Sequence, residues 1–125
     1  MSALVDTSVL IDVLRGVPAA VDALRDARAV APLQSSVVVR AEVLAGMRPE
    51  EEEATAQLLG ALDWHDVTAD VAEGAGRMGR RWLRSHSGID TADLLIAATA
   101  SRLRLPLMTR NTRHFPMFPD LMPPY

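Results

Sequence analysis

Residues 88–100 read GIDTADLLIAATA. From Leu94 onward the stretch is apolar or small on every side: Leu94, Leu95, Ile96, Ala97, Ala98, Ala100. That pattern belongs to a helix enclosed by protein rather than one with a solvated face. Its first turn nevertheless carries two carboxylates, Asp90 and Asp93. A helix over about residues 91–103, buried this fully, needs a layer to lie on, and the flanking sequence supplies candidates.

Ala3-Leu4-Val5 is a short apolar run that ends at Asp6 and passes through Thr7-Ser8 into Val9-Leu10-Ile11, a strand feeding a capped helix. Pro18 suits the start of a second helix, to about residue 28. A second strand is expected near residues 32–36. Val39, Val43 and Met47 then recur four apart with Glu42 beside them, which is helical spacing. Pro49 followed by four glutamates opens another helix, to about residue 62, because proline and acids both suit a first turn. Residues 63–67 form a strand. A helix over about 69–85 has Val71, Ala75, Met78 and Trp82 as its apolar seam. Residues 105–109 give a fourth strand, and a last one is expected near residues 120–122. Short apolar strands alternating with helices predict one α/β domain, residues 1–125, with a mostly parallel sheet of four or five strands.

Composition narrows the function. The chain has 125 residues, enough for a real core, and 49% are hydrophobic, which argues against disorder. Without cysteine there are no disulfides, thiolate metal sites or cysteine nucleophiles. The N-terminal segment shows no signal peptide and no run spans a membrane, so a cytoplasmic location is expected. Every basic side chain is arginine, and this excludes phosphoryl-handling α/β domains that depend on a lysine. Residues 1–76 hold thirteen acids and five arginines, whereas residues 77–125 hold three acids and eight arginines. Arginine forks suit phosphate, so the second half is where an anion would be met.

In parallel sheets, sites form beyond the carboxyl ends of strands. Asp6 follows the first strand, Glu42 lies one turn into the helix after the second, and Asn111 follows the fourth. Asp90 and Asp93 open the buried helix. Converging carboxylates repel unless a cation separates them, and oxygen donors without cysteine or a histidine pair suit Mg²⁺ or Mn²⁺. Each acid also has a plainer role. Asp6 suits a helix cap, Glu42 a solvated helix face, and Asp90 with Asp93 a capping box.

Four segments together resemble the PIN-domain ribonucleases, and most closely the VapC toxins of toxin–antitoxin pairs. They are VDTSVLID, VVVRAEVLAG, DLLIAATA and LMTRNTRHF, in family order from Asp6 to Phe115. The resemblance implies that Asp6, Glu42 and Asp93 are the metal-site acids and catalytic residues, with Asn111 where the wider family often has a fourth acid. Asparagine there removes one negative charge and bears on whether a second metal binds. Asp90, Ser8, Thr7 and Thr109 are supporting candidates, and Arg110 and Arg113 are candidates for RNA phosphate. His114 is read as a general acid or as a structural turn residue. Arg77, Arg80, Arg81 and Arg84 form either an RNA-tracking stripe or a solvated helix face.

The implied reaction is hydrolysis of RNA phosphodiesters by water activated on Mg²⁺ or Mn²⁺, leaving 5′-phosphate and 3′-hydroxyl ends. The implied partners are a VapB-like antitoxin and a second copy of the chain. Apolar residues of the second and fourth helices, Val21/Leu24 and Leu58/Leu59/Leu62, serve either a partner or the core. With aromatics at only 4%, base stacking on a broad platform is not expected. The alternative is a PIN-like module that binds RNA or protein without cutting, a reading kept open by Asn111.

Overall fold

A computed structural model of the chain describes residues 2–125. Four short strands form one parallel sheet: β1 (Leu4–Val5), β2 (Gln34–Ser36), β3 (Asp63–His65) and β4 (Leu107–Met108). Their order is β3-β2-β1-β4. Leu4 pairs with Gln34 on one side and with Leu107 on the other. The chain moves outward from β1 through β2 to β3, then returns to place β4 on the opposite flank of β1. The direction of winding therefore reverses between β1 and β4, and a crevice opens beyond their carboxyl ends.

Helices α1 (Thr7–Leu14), α2 (Pro18–Val30), α3 (Val37–Ala45), α4 (Glu52–Leu59), α5 (Ala69–Trp82) and α6 (Thr91–Leu103) complete the layers. A tight 3-10 turn, Pro49–Glu51, precedes α4, and another, Thr112–His114, follows β4. Both residues of β1 are fully buried, and Val9, Leu10, Val39, Ile96, Ala97 and Phe115 close around them. Leu24, Leu59 and Leu62 belong to this core, and Leu58 packs against it, so those apolar positions are largely spent within the chain. A second cluster, Val71, Ala75, Ile89, Leu94 and Ala98, joins α5 to α6. The helix read from LLIAATA thus touches both clusters, which is why it has no polar face. No described helix is long and apolar enough to cross a membrane.

The strand expected near residues 120–122 is absent: the sheet has four strands, and the segment after Phe115 runs as turns. Pro116, Pro119, Pro123 and Pro124 lack the N–H groups a ladder requires. The segment is held instead by turn bonds, Phe118 N–H to Phe115 C=O at 3.0 Å and Leu121 N–H to Phe118 C=O at 3.1 Å. Phe118, Leu121 and Tyr125 pack against the core.

Candidate active site

Asp6 stands at the crevice, just past β1 and just before α1. Its backbone is extended (φ −83°, ψ 161°), as for a helix cap, yet its side chain makes no capping bond. The carboxylate turns to two hydroxyls instead. Oδ2 accepts from Thr109 Oγ1 at 2.6 Å and from Ser8 Oγ at 3.3 Å. Those hydroxyls are themselves held: Ser8 Oγ accepts from the Arg110 backbone N–H at 3.1 Å, and Thr109 Oγ1 from that of Asn111 at 3.0 Å. Strand register explains the meeting, because Val5 pairs with Met108 and their successors, Asp6 and Thr109, emerge side by side. Asp6 is only 4% exposed, and a carboxylate buried to that extent needs polar partners.

Glu42 is half-buried on α3, and its Oε1 accepts from Thr7 Oγ1 at 2.7 Å. This bond ties α3 to the first residue of α1, next to Asp6. Thr7 therefore fixes an acid. Asp93 closes a reciprocal capping box at the start of α6: Asp90 Oδ1 accepts from the Asp93 N–H at 2.9 Å, and Asp93 Oδ2 from the Asp90 N–H at 3.1 Å. His114 Nδ1 lies 3.1 Å from the same Oδ2. Burial pushes the Asp93 carboxyl up to about 6; the negative charges of Asp90 and Asp6 add to the rise, while the Asp90 N–H and His114 oppose it. The Asp6 charge is thus felt at Asp93, although 87 residues of chain separate the two positions.

The sequence offered little to distinguish His114, a lone histidine in a turn. Its role as the partner of Asp93 depends on the turn after β4 coming over the start of α6. Gly88 lies beside it for a backbone reason: its φ is +90°, a left-handed value that favours glycine, whereas an added Cβ would stand at an ordinary contact distance of 3.8 Å from His114 Nε2.

All three acids share one arrangement. Asp6, Glu42 and Asp93 each engage one carboxylate oxygen with the protein, and no hydrogen bond among the described residues uses the other. Three carboxylates from separate segments, each anchored and each with a free oxygen, are a suitable donor set for a hard divalent cation. The spacing is wide: among the described residues no three His, Asp or Glu side chains sit close enough to enclose an ion. The set fits an ion that keeps much of its own water and takes one or two direct carboxylates, which is the habit of Mg²⁺.

Asn111 is exposed at the crevice edge. It borders a cavity of about 290 Å³ together with Ser8, Ile11, Asp12 and Arg110. Arg113 is exposed and makes no ion pair among the described residues. Arg77, Arg80, Arg81 and Arg84 do not line one stripe. Arg80 and Arg84 border an apolar groove of about 750 Å³ that reaches Thr91 and Leu94 of α6, whereas Arg77 faces a separate hollow with Arg102 and Arg104. Arg81 lies over the Trp82 ring, 4.9 Å from its centre.

Comparison with known proteins agrees with this architecture. The family model described as PIN domain matches residues 3–119. The chain is 47% identical over 123 residues to Ribonuclease VapC19 of Mycobacterium tuberculosis, covering 98% of both chains. It is 48% identical over 122 residues to Ribonuclease VapC10 of the same species, covering 98% of this chain and 92% of that one. Among solved structures, a toxin-antitoxin complex from Klebsiella pneumoniae superposes with a TM-score of 0.82 at 31% identity, covering 98% of each chain. VapBC2 from Rickettsia felis shares the fold, with a TM-score of 0.83 at 21% identity and coverage of 98% and 96%. A PIN-type sheet with acids at its switch point, matched along nearly its whole length, places this chain in the PIN domain family, among the VapC proteins.

Proposed function

We propose that the protein is a Mg²⁺- or Mn²⁺-dependent endoribonuclease, the toxin of a toxin–antitoxin pair. The observation that carries this reading is the gathering of Asp6, Glu42 and Asp93 at the crevice, each braced by a neighbour and each with one free oxygen. Relatives named as ribonucleases and a similar chain solved as part of a toxin-antitoxin complex support it.

Asp6 and Asp93 would hold the cation directly, with Glu42 as ligand or as the base that positions water. Bound there, Mg²⁺ or Mn²⁺ would supply charge neutralisation at the phosphate and a more acidic water. The chain's own groups do the rest. Thr109 and Ser8 keep Asp6 from rotating, Thr7 does the same for Glu42, and the Asp90 backbone and His114 aim Asp93. Arg110 and Arg113, beside the crevice, receive the RNA backbone as phosphate contacts. Hydrolysis by water does not require the 2′-hydroxyl, so the expected products carry 5′-phosphate and 3′-hydroxyl ends. A VapB-like antitoxin that inserts a cationic side chain among the acids would silence the site by replacing the metal's charge.

A second reading, a PIN-like module that binds RNA or protein without cutting, draws on two observations. Asn111 is neutral, and the acids are spaced too widely to cage an ion unaided. One experiment separates the readings. Antitoxin-free protein is incubated with total cellular RNA in Mg²⁺, Mn²⁺ or EDTA, beside Asp6→Asn and Asp93→Asn. Discrete cuts that require the metal and vanish in both variants are expected. Cutting that survives both substitutions removes the mechanism, and binding without cutting favours the module.

A further inference from the structure

Two side chains with no part in the chemistry above meet at the rim of the crevice. Asp12, on the α1 turn after Ser8, accepts from Tyr125 Oη at 2.7 Å and from Arg110 Nη1 at 3.2 Å, both on Oδ2. The Tyr125 ring faces the same guanidinium, whose carbon lies 5.2 Å from the ring centre. At its other end, Arg110 is tied by its backbone N–H to Ser8, the residue that holds Asp6. Arg110 is therefore fixed at three points: the backbone, one edge of the guanidinium and one face. No hydrogen bond among the described residues uses its Nε or Nη2, and its side chain is half exposed on the cavity shared with Asn111.

An exposed arginine that only decorated the surface would not need this bracing, since a lone surface ion pair contributes little to stability. A brace does matter to an arginine that must meet a phosphate in one pose, because ordering the side chain beforehand removes entropy that binding would otherwise lose. We propose that Tyr125 is a positioning residue. Together with Asp12 it presents the free edge of Arg110 to a phosphate of the RNA lying across the acidic crevice. This rests on the reading of the crevice as an RNA site. It adds a phosphate-positioning element supplied from outside the sheet, by a segment otherwise used only for packing.

The test measures binding of antitoxin-free protein to a labelled single-stranded RNA of mixed sequence, in EDTA so that nothing is cut, over a series of salt concentrations. The proteins are wild type, Tyr125→Ala, Tyr125→Phe, Arg110→Ala and the double variant Arg110→Ala/Tyr125→Ala. Arg110→Ala is expected to weaken binding about tenfold and to lower the salt slope by about 0.7, the share of one single-strand phosphate. Tyr125→Ala is expected to weaken it about three- to fivefold, and Tyr125→Phe, which keeps the ring, by less. In the Arg110→Ala background, Tyr125→Ala should change nothing further, because a positioning residue has no effect once its target is gone. Equal losses from Tyr125→Ala with and without Arg110 would mean that Tyr125 acts through the fold, and the proposal fails. It fails equally if Tyr125→Ala binds like wild type. If Tyr125→Ala does not fold, as judged by circular dichroism, Tyr125→Phe and Asp12→Asn carry the same comparison. Wild type that binds no RNA at any salt, in EDTA and again with Mg²⁺ restored, would remove the RNA reading and this inference together, whereas binding that ignores Tyr125 removes only the inference.

Discussion

Thr109 shows how much a single buried hydroxyl can hold at this site. It is fully buried, donates to Asp6 at 2.6 Å and accepts from the Asn111 N–H. Thr109→Val keeps the shape and removes both functions, leaving a buried carboxylate short of a donor. A charge-assisted hydrogen bond is worth about 1.5–3 kcal/mol. Urea unfolding should therefore show a loss of that order, with Thr109→Ser recovering most of it and RNA cleavage following the same order. Tyr125 and Asp12 give a residue-level pH signature. The Tyr125 hydroxyl, followed by Arg110, holds the Asp12 carboxyl below its ordinary 3.8, while burial and the Asp12 contact push the Tyr125 phenol above its ordinary 10.0. A depressed acid contributes stability that is present above 3.8 and lost as pH falls through the folded value. A raised phenol contributes stability that is present below 10.0 and lost as pH climbs past it. The difference in urea midpoint between wild type and Tyr125→Phe should be flat between about pH 5 and pH 9 and should shrink below about pH 4. A difference that grows on acidification would contradict the contact.

At the level of elements, α5 and α6 pack through small residues on α5. An added Cβ at Gly79 would stand 3.2 Å from Leu94 Cδ1 and 3.3 Å from Leu83 Cδ1, whereas one at Gly76 meets nothing within 4 Å. Alanine is favoured over glycine in a helix interior by roughly 0.5–1 kcal/mol. Gly76→Ala should gain that amount in chemical denaturation, and Gly79→Ala should fall short of it because buried Leu94 must shift. Equal gains at both sites would mean that the helix pair is looser than its packing indicates. The α6 boundaries were readable from sequence, Thr91–Leu103, because the cap, the apolar run and the exit are all local signals. The segment after Phe115 was misread as ending in a strand. There Leu121 and Met122 are apolar, but the flanking prolines deny the segment a ladder, and Phe118, Leu121 and Tyr125 pack inward by turns.

For the molecule as a whole, the proposed cation would link binding to folding, since Asp6, Glu42 and Asp93 are brought to one crevice only by the folded chain. A ligand at a hundred times its dissociation constant adds about 2.7 kcal/mol to stability. Raising Mg²⁺ or Mn²⁺ should accordingly raise the Tm of wild type in a thermal-shift measurement, and EDTA should reverse the rise. Asp6→Asn should respond far less. A variant that responds as strongly as wild type would place the cation elsewhere.

Sequence alone determined the helices and the parallel α/β class, because periodicity and caps are written along the chain, and its motif order pointed to Asp6, Glu42 and Asp93 as the acids to look for. It left Asp6 between helix cap and site residue, and that ambiguity was physical: an aspartate before a helix satisfies both descriptions. Only the tertiary structure set the side-chain cap aside, by placing β4 beside β1 so that Thr109 claims the carboxylate. The same holds for His114 at Asp93 and for Tyr125 at Asp12 and Arg110. These contacts join residues whose separation along the chain carries no periodic signal, and strand order, not local preference, brings them together.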